Sequence, residues 1–140
     1  IEMKSVTQSI VERASRRSGR DIVVNADDSI VIANHHMFDR AVSNLIDNAL
    51  KFDTSSQQIE VTIHTGSLTV SDRGIGIPED EVRLIFERFH RSAASRSMPG
   101  SGLGLSIVAD FAQAHDGSVF ARNRAGGGAE IGFSLPPENK

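Results

Sequence analysis

The chain has no cysteine, no run of about 18 apolar residues, no signal-peptide pattern and no surplus of positive charge. Without cysteine there is neither a disulfide framework nor thiol chemistry, and the redox compartment stays open. Without a long apolar run, nothing here is expected to span or contact a membrane. A formal net charge of -3 argues against non-specific nucleic-acid binding, which needs a strong positive field. The five histidines show no His-Glu-x-x-His or Cys–His spacing, so no zinc site is expected. The glycine-rich run Gly100-Ser101-Gly102-Leu103-Gly104 is not followed by Gly-Lys-Ser or Gly-Lys-Thr, which sets aside a Walker A loop. Ile107 stands where a G-x-G-x-x-G pattern needs its last glycine, and no apolar strand directly precedes the run, which lowers the Rossmann reading.

What is present is ordinary globular material. The 140 residues are 39% hydrophobic and 24% charged, enough for one domain with a real core. No repeat, linker or boundary interrupts them, so a single unit over 1–140 is expected. The start at Ile1 rather than Met reads as a domain excised from a longer protein.

Periodicity predicts a helix over Ser5–Arg17, with Val6, Ile10 and Ala14 on one face. Arg13, Arg16, Arg17 and Arg20 cluster at its end and read as favourable cations on a solvated face. Ile22–Val24 and Ile30–Ile32 flank Asp27-Asp28 and read as a hairpin. Asn34 is placed to cap a helix running to about Phe52. Ile59, Val61 and Ile63 predict a strand, and Leu68 and Val70 a second one after a turn at Gly66. Residues Glu79–Phe86 read as a short helix. Arg91–Ser101 reads as a mobile loop, and a loop of this length is usually functional or disordered. Leu103, Ile107, Val108, Phe111 and Ala112 make one apolar helical face, closed by Gly117. Val119 and Ala121, then Ile131, Phe133 and Leu135, predict a final antiparallel pair. The expected fold is an α+β two-layer sandwich, one mixed and mostly antiparallel sheet covered by about three helices.

On the helix from Asn34, Asn44, Asn48 and Lys51 fall within about 60° of each other. Phe38, Val42, Leu45, Ile46 and Ala49 lie opposite, and Asp39, Ser43 and Asp47 fill a third sector. Read alone, the asparagines also suit a plain solvent sector, although asparagine is a mediocre helix former. Amide oxygens are hard ligands of the kind Mg²⁺ prefers, and a lysine is a point charge for phosphates. Asp72 follows the strand Leu68–Ser71. A carboxylate at a strand end can accept from an exocyclic amine, which adenine has and hypoxanthine lacks. Gly74 and Gly76 let backbone approach a flat base, but an Asp-x-Gly turn is equally common in any loop. The glycines before the helix of Leu105 leave N–H groups that favour an anion.

Three motifs appear in one order: Asn44-Leu45-Ile46-Asp47-Asn48-Ala49-Leu50-Lys51-Phe52, Asp72-Arg73-Gly74-Ile75-Gly76-Ile77, and Gly100-Ser101-Gly102-Leu103-Gly104-Leu105-Ser106. Phe86-Glu87-Arg88-Phe89-His90-Arg91 lies between the last two. Together they resemble the asparagine box, the two glycine boxes and the phenylalanine box of the ATP-binding catalytic domain of sensor histidine kinases. The likeness is greatest to the PrrB-type members. It covers nearly the whole chain and implies a Bergerat-type sandwich with a flexible ATP lid over Gly76–Ser101.

By that resemblance, the chain binds ATP and Mg²⁺ and passes the γ-phosphoryl to a histidine on a separate dimerisation domain, with a response regulator downstream. Asn48 is then the metal ligand with Asn44 supporting it, and Asn44, Lys51 and Arg88 carry the transfer. Phe52, Asp72, Gly74, Gly76, Ile77, Arg91, Gly100, Ser101, Gly102, Leu103, Gly104 and Leu105 complete the nucleotide site. Phe52 equally suits the core, and Arg88 and Arg91 equally suit solvent. The family's phosphoacceptor histidine is followed by an acidic residue and then Thr-Pro or Asn-Pro. His115-Asp116-Gly117-Ser118 lacks that sequel, so the acceptor is expected outside this chain. Ala129 stands where the family often has threonine, and Asp53-Thr54 where it usually has Thr-Pro or Ser-Pro. The resemblance also implies a cytoplasmic domain of an inner-membrane-anchored sensor. Rival readings are a non-catalytic ATP-binding module, an ATPase of the same superfamily and an anti-sigma-like serine kinase. The ATPases carry a glutamate base where this chain has Asn44.

Overall fold

The computed structural model describes residues 1–53, 58–82, 84–87 and 104–137. Among them, three α-helices and five strands alternate: α1 (Met3–Ser18), β1 (Ile22–Ala26), α2 (His35–Phe52), β2 (Ile59–His64), β3 (Ser67–Ser71), α3 (Gly104–Ala114), β4 (Ser118–Asn123) and β5 (Ala129–Ser134). The strands form one sheet in the order β1-β2-β3-β5-β4, with β1 parallel to β2 and every other pair antiparallel. This is the expected mixed, mostly antiparallel sheet.

Alternation decides which face of the sheet is covered. Ile59, Val61 and Ile63 of β2, Leu68 and Val70 of β3, and Ile131 and Phe133 of β5 are all buried. They meet Phe38 of α2 and Phe111 of α3. Those two rings and Phe133 pack edge-on in a triangle, with centroids 6.1, 6.0 and 5.2 Å apart. Each such pair contributes about 0.5–1.5 kcal/mol beyond its buried area. The triangle pins α2 and α3 to the sheet at β5, which fixes where the faces of α2 point.

The helix ends follow from their residues. Asn34 Oδ1 accepts from Met37 N–H at 2.9 Å and caps α2 as expected. Gly19, at φ 73°, closes α1 with its N–H on Ser15 O. At the end of α3 the left-handed residue is Asp116 (φ 59°), and Gly117 contributes its N–H to Ala112 O at 2.7 Å. His115 joins α3 to the start of α2. Its Nε2 accepts from Asn34 N–H at 3.1 Å while Nδ1 lies 2.8 Å from Phe111 O, which fits the neutral tautomer with hydrogen on Nδ1.

Three expectations need correction. Ile22–Val24 and Ile30–Ile32 do not form a hairpin. β1 pairs instead with β2, while Ile30 and Val31 make only single bridges to Glu2 and Pro137. The Asp27 carboxylate explains the departure. It takes Ser29 N–H and, from the distant β2–β3 turn, Thr65 N–H, so the chain is tied to that turn instead of folding back on itself. Among the described residues of Glu79–Phe86, the one helical element is a 3-10 turn at Glu79–Glu81, not an α-helix. The neighbours Ile85 and Phe86 reach the core there while Leu84 stays exposed, so no helical stripe exists to bury. On α3, Ser106 rather than Ile107 joins Val108, Phe111 and Ala112 among the buried residues. Leu103 and the loop Arg91–Ser101 lie outside the described residues.

Candidate functional site

The three sectors of α2 have three separate neighbours. Phe38, Ala41, Val42, Leu45, Ile46 and Ala49 enter the core. The aspartate sector faces α1, where Arg13 reaches Asp39 at 2.8 Å and Arg17 reaches Asp47 at 2.6 Å. The arginine cluster of α1 is therefore paired in part, and not simply solvated. Asn44, Asn48 and Lys51 occupy the remaining sector and are half-buried. Gly104, the first residue of α3, lies against Asn44: a methyl group there would sit 3.6 Å from Asn44 Oδ1. The asparagine face and the N-terminus of α3 therefore come together. The Lys51 ammonium lies 5.3 Å from the Phe52 ring centroid.

Asp72 continues the β3 ladder by one residue, its N–H donating to Ala129 O at 2.9 Å. Its side chain is buried, with the residue only 3% exposed. Oδ1 accepts from Gly74 N–H at 2.9 Å and Ala129 N–H at 3.2 Å, while Oδ2 takes no hydrogen bond among the described residues. Burial pushes the proton affinity of this carboxyl up, the two N–H bonds and Arg124 pull it down, and the charge of Asp53 pushes it up again. The result is a carboxylate with one oxygen fixed and the other available.

The loop after Asp72 is held by residues that local pattern did not mark. Asn123, the last residue of β4, clasps Ile77 from both sides: its Oδ1 accepts from Ile77 N–H at 2.7 Å and its Nδ2 donates to Ile77 O at 2.8 Å. Gly76, at φ 78°, passes so close beneath this amide that a methyl group would sit 2.8 Å from Asn123 Oδ1. Gly128, at φ 92°, lies against Asp72, and a methyl group there would fall 2.0 Å from Asp72 O. Arg124 donates to Asp72 O at 3.2 Å and to Glu60 at 3.1 Å. Asp53, 2% exposed, accepts from Arg73 N–H at 2.9 Å. Of the run Gly126-Gly127-Gly128, only Gly128 makes a close approach; a methyl group on either of the other two would meet nothing within 4 Å. Asn123 and Asp53 have partners 46 and 20 residues away, which no local pattern reveals.

Of the expected site residues, Asn44, Asn48, Lys51, Phe52, Asp72, Gly74, Gly76, Ile77, Gly104 and Leu105 are described. They lie on α2, on the loop after β3 and at the start of α3. Arg88, Arg91, Gly100, Ser101, Gly102 and Leu103 lie outside the described residues, as does most of the expected lid. Phe86 is partly buried and packs against the core.

Residues 33–139 match the family of histidine kinase-, DNA gyrase B- and HSP90-like ATPases. The chain belongs to that family. It is 39% identical over 142 residues to the signal transduction histidine-protein kinase/phosphatase MprB of Mycolicibacterium smegmatis, covering 96% of this chain and 29% of that protein. The chain thus spans less than a third of that relative's length. It superposes on a mycobacterial sensor histidine kinase MprB structure with a TM-score of 0.90 at 36% identity, covering 100% of this chain and 99% of that one. With the ATP-binding domain of PrrB from Mycobacterium tuberculosis the TM-score is 0.80 at 26% identity, covering 99% and 96%. The greater likeness among these is to MprB rather than to the PrrB type. The expected Bergerat-type fold is borne out. Within this family fold, the loop after Asp72 lies against the end of α2, where a methyl group on Gly74 would meet Phe52 O at 2.2 Å.

Proposed function

We propose that this chain is the catalytic domain of a sensor histidine kinase, holding Mg-ATP and offering the γ-phosphoryl to a histidine on a separate dimerisation domain. The observation that carries this reading is Asp72: a buried carboxylate at a strand end, with Oδ1 fixed by two backbone donors and Oδ2 without a hydrogen bond among the described residues. Such an oxygen suits the exocyclic amine of adenine, while Gly74 and Gly76 allow the loop to pass tightly against Phe52 and Asn123 and so hold Asp72 in place. In this reading Phe52, Ile77 and Leu105, each half-buried, supply apolar surface to the base. Lys51, together with the N–H groups at the start of α3, suits the phosphates.

The donor set also fits magnesium. No cluster of three or more His, Cys, Asp or Glu side chains exists among the described residues, so a metal held by protein carboxylates alone is not built here. Asn48 and Asn44 supply neutral amide oxygens, which suit a hard cation that arrives with the triphosphate and keeps several waters. Bound there, Mg²⁺ would neutralise phosphate charge. The protein's own part is positioning and electrostatic stabilisation, the terms that dominate phosphoryl transfer. Asn44 has no basic side chain with which to activate water, which favours transfer over hydrolysis. By the same reading the partners are the histidine-bearing dimerisation domain and a response regulator, and the parent is a sensor anchored in the inner membrane with this domain in the cytoplasm. No described helix is long and apolar enough to cross a membrane.

The test is incubation with radiolabelled ATP and Mg²⁺, with and without a histidine-bearing dimerisation domain. Label is expected on the partner alone, in acid-labile form. Rapid phosphate release without the partner, or stable label on this chain, would overturn the reading in favour of an ATPase or a different kinase.

A further inference from the structure

Arg13 and Arg17 of α1 and Arg20 just after it reach Asp39 and Asp47 of α2 and its C-cap Asp53, and the third pair differs from the others. Arg13–Asp39 and Arg17–Asp47 are surface pairs, whereas the side chain of Asp53 is fully buried against an Arg20 that is itself mostly covered. Arg20 makes two contacts there: one guanidinium nitrogen donates to Asp53 O at 2.7 Å and the other lies 3.5 Å from Asp53 Oδ1. The other carboxylate oxygen, Oδ2, accepts from Arg73 N–H at 2.9 Å. Arg73 is the residue between Asp72 and Gly74, and Gly74 N–H in turn holds Asp72 Oδ1. At this point the chains touch closely, since a methyl group on Gly74 would lie 2.2 Å from Phe52 O and 3.1 Å from Asp53 Cα.

A buried carboxylate is costly to keep unless its partners use both oxygens, and here they do. Its bonds run from the end of α1, through the end of α2, to the loop that carries Asp72. Two parts of the proposed site sit on separate elements: the amide face on α2 and the carboxylate on the β3 loop. Asp53, the C-cap of α2, bonds the end of that helix to the loop through Arg73 N–H.

We infer that Asp53, clamped by Arg20, is a positioning residue that sets the Asp72 carboxylate in register with the asparagine face of α2, and so tunes selectivity for adenine. This rests on the proposed nucleotide site. A residue that served only to end α2 would, when changed, weaken all nucleotides alike. A residue that aims Asp72 affects adenine nucleotides most.

The experiment measures ATP and GTP affinity by calorimetry for the parent chain and for the Asp53→Ala, Asp53→Asn, Arg20→Met, Arg17→Ala, Asp72→Asn and Asp53→Ala/Asp72→Asn variants, each confirmed folded by circular dichroism. Asp53→Ala is expected to lose about tenfold in ATP affinity with little change for GTP, the effect of one misplaced charged hydrogen bond. Arg20→Met and Asp53→Asn should lose less, in the same direction. In the Asp72→Asn background, Asp53→Ala should add no further loss, because the group it aims is already gone. Should Asp53→Ala fail to fold, Asp53→Asn and Arg20→Met carry the test. Equal loss for ATP and GTP, unchanged ATP affinity, or a loss in the surface-pair variant Arg17→Ala matching that in Arg20→Met would each overturn the inference while leaving the site itself standing. Failure of the parent chain to bind ATP would overturn the proposed function, and this inference with it.

Discussion

Asp27 and Asp72 occupy equivalent places: each follows the last residue of a strand, β1 or β3, and each continues its ladder through its own N–H, to Ile63 O at 3.1 Å and Ala129 O at 2.9 Å. Each side chain also accepts two backbone N–H bonds. Their surroundings then diverge. Asp27 uses both oxygens, Oδ1 for Ser29 N–H and the Ser29 hydroxyl, and Oδ2 for Thr65 N–H, and it stays in solvent. Asp72 puts both backbone donors on Oδ1, leaves Oδ2 open and is buried. The hydrogen bonds of Asp27, the Ser29 hydroxyl first, pull its proton affinity below the ordinary 3.8. Burial lifts that of Asp72 above the same value. A carboxylate saturated by its own fold staples a turn. One that is buried and half-satisfied keeps an acceptor for something outside the chain.

The widest separation between the two should come from Asp72→Asn. The asparagine oxygen can keep both backbone bonds, so the fold is retained, but an amide donor replaces the open acceptor. ATP affinity should fall by about ten- to a hundredfold, equivalent to a charge-assisted hydrogen bond of about 1.5–3 kcal/mol, and preference over GTP should shrink. Asp27→Asn should leave ATP affinity unchanged. Calorimetric titration of the two variants side by side checks both. Unchanged ATP affinity in Asp72→Asn would remove this residue from the site.

How far the sequence reveals this contrast depends on the range of the contacts. The amide face of α2 is legible because helical periodicity alone separates Asn44, Asn48 and Lys51 from the core residues. The Asp39–Asp47 sector is legible as a third face but not as the face toward α1, because its partners lie 26 and 30 residues away. Asp27-Asp28 is readable as a turn, yet the carboxylate binds the β2–β3 turn 38 residues on, and that moves β1 out of a local hairpin into a parallel pairing. Asn123 looks like an ordinary strand end until Ile77, 46 residues earlier, is placed beside it. Local pattern sets element type and face. Partner choice among polar side chains is decided by packing, which is why the residues supporting Asp72 were the ones missed.

A smaller effect should appear on acidification of nucleotide binding. The open oxygen of Asp72 is a strong acceptor only when ionised, and its pKa stands above 3.8. As pH falls through that raised pKa, ATP affinity should decline in the parent chain. In Asp72→Asn this component should vanish, leaving only the titration of the phosphates themselves. Affinity curves of the two proteins that keep a constant ratio from neutral pH down toward 4 would contradict the assignment.

The smallest effect concerns stability, where the two carboxylates have opposite signs. For Asp72 the folded pKa is raised, so its contribution to stability is fully present below 3.8 and is lost as pH rises through the folded value. For Asp27 the folded pKa is lowered, so its contribution is present above 3.8 and is lost as pH falls through the folded value. Asp27 lies in solvent, where water screens its interactions, so the gain is modest. Thermal unfolding followed from pH 7 down to about 3 should therefore show a small loss of Tm at neutral pH in Asp27→Asn, narrowing below 3.8 as the parent's own carboxylate is protonated. In Asp72→Asn the pH-dependent part of the difference should run the other way: the parent's Tm gains on the variant's as pH falls, because protonation relieves a buried charge that the amide never carried. If both variants change with pH in the same direction, the distinction between a stapling and a receiving carboxylate fails.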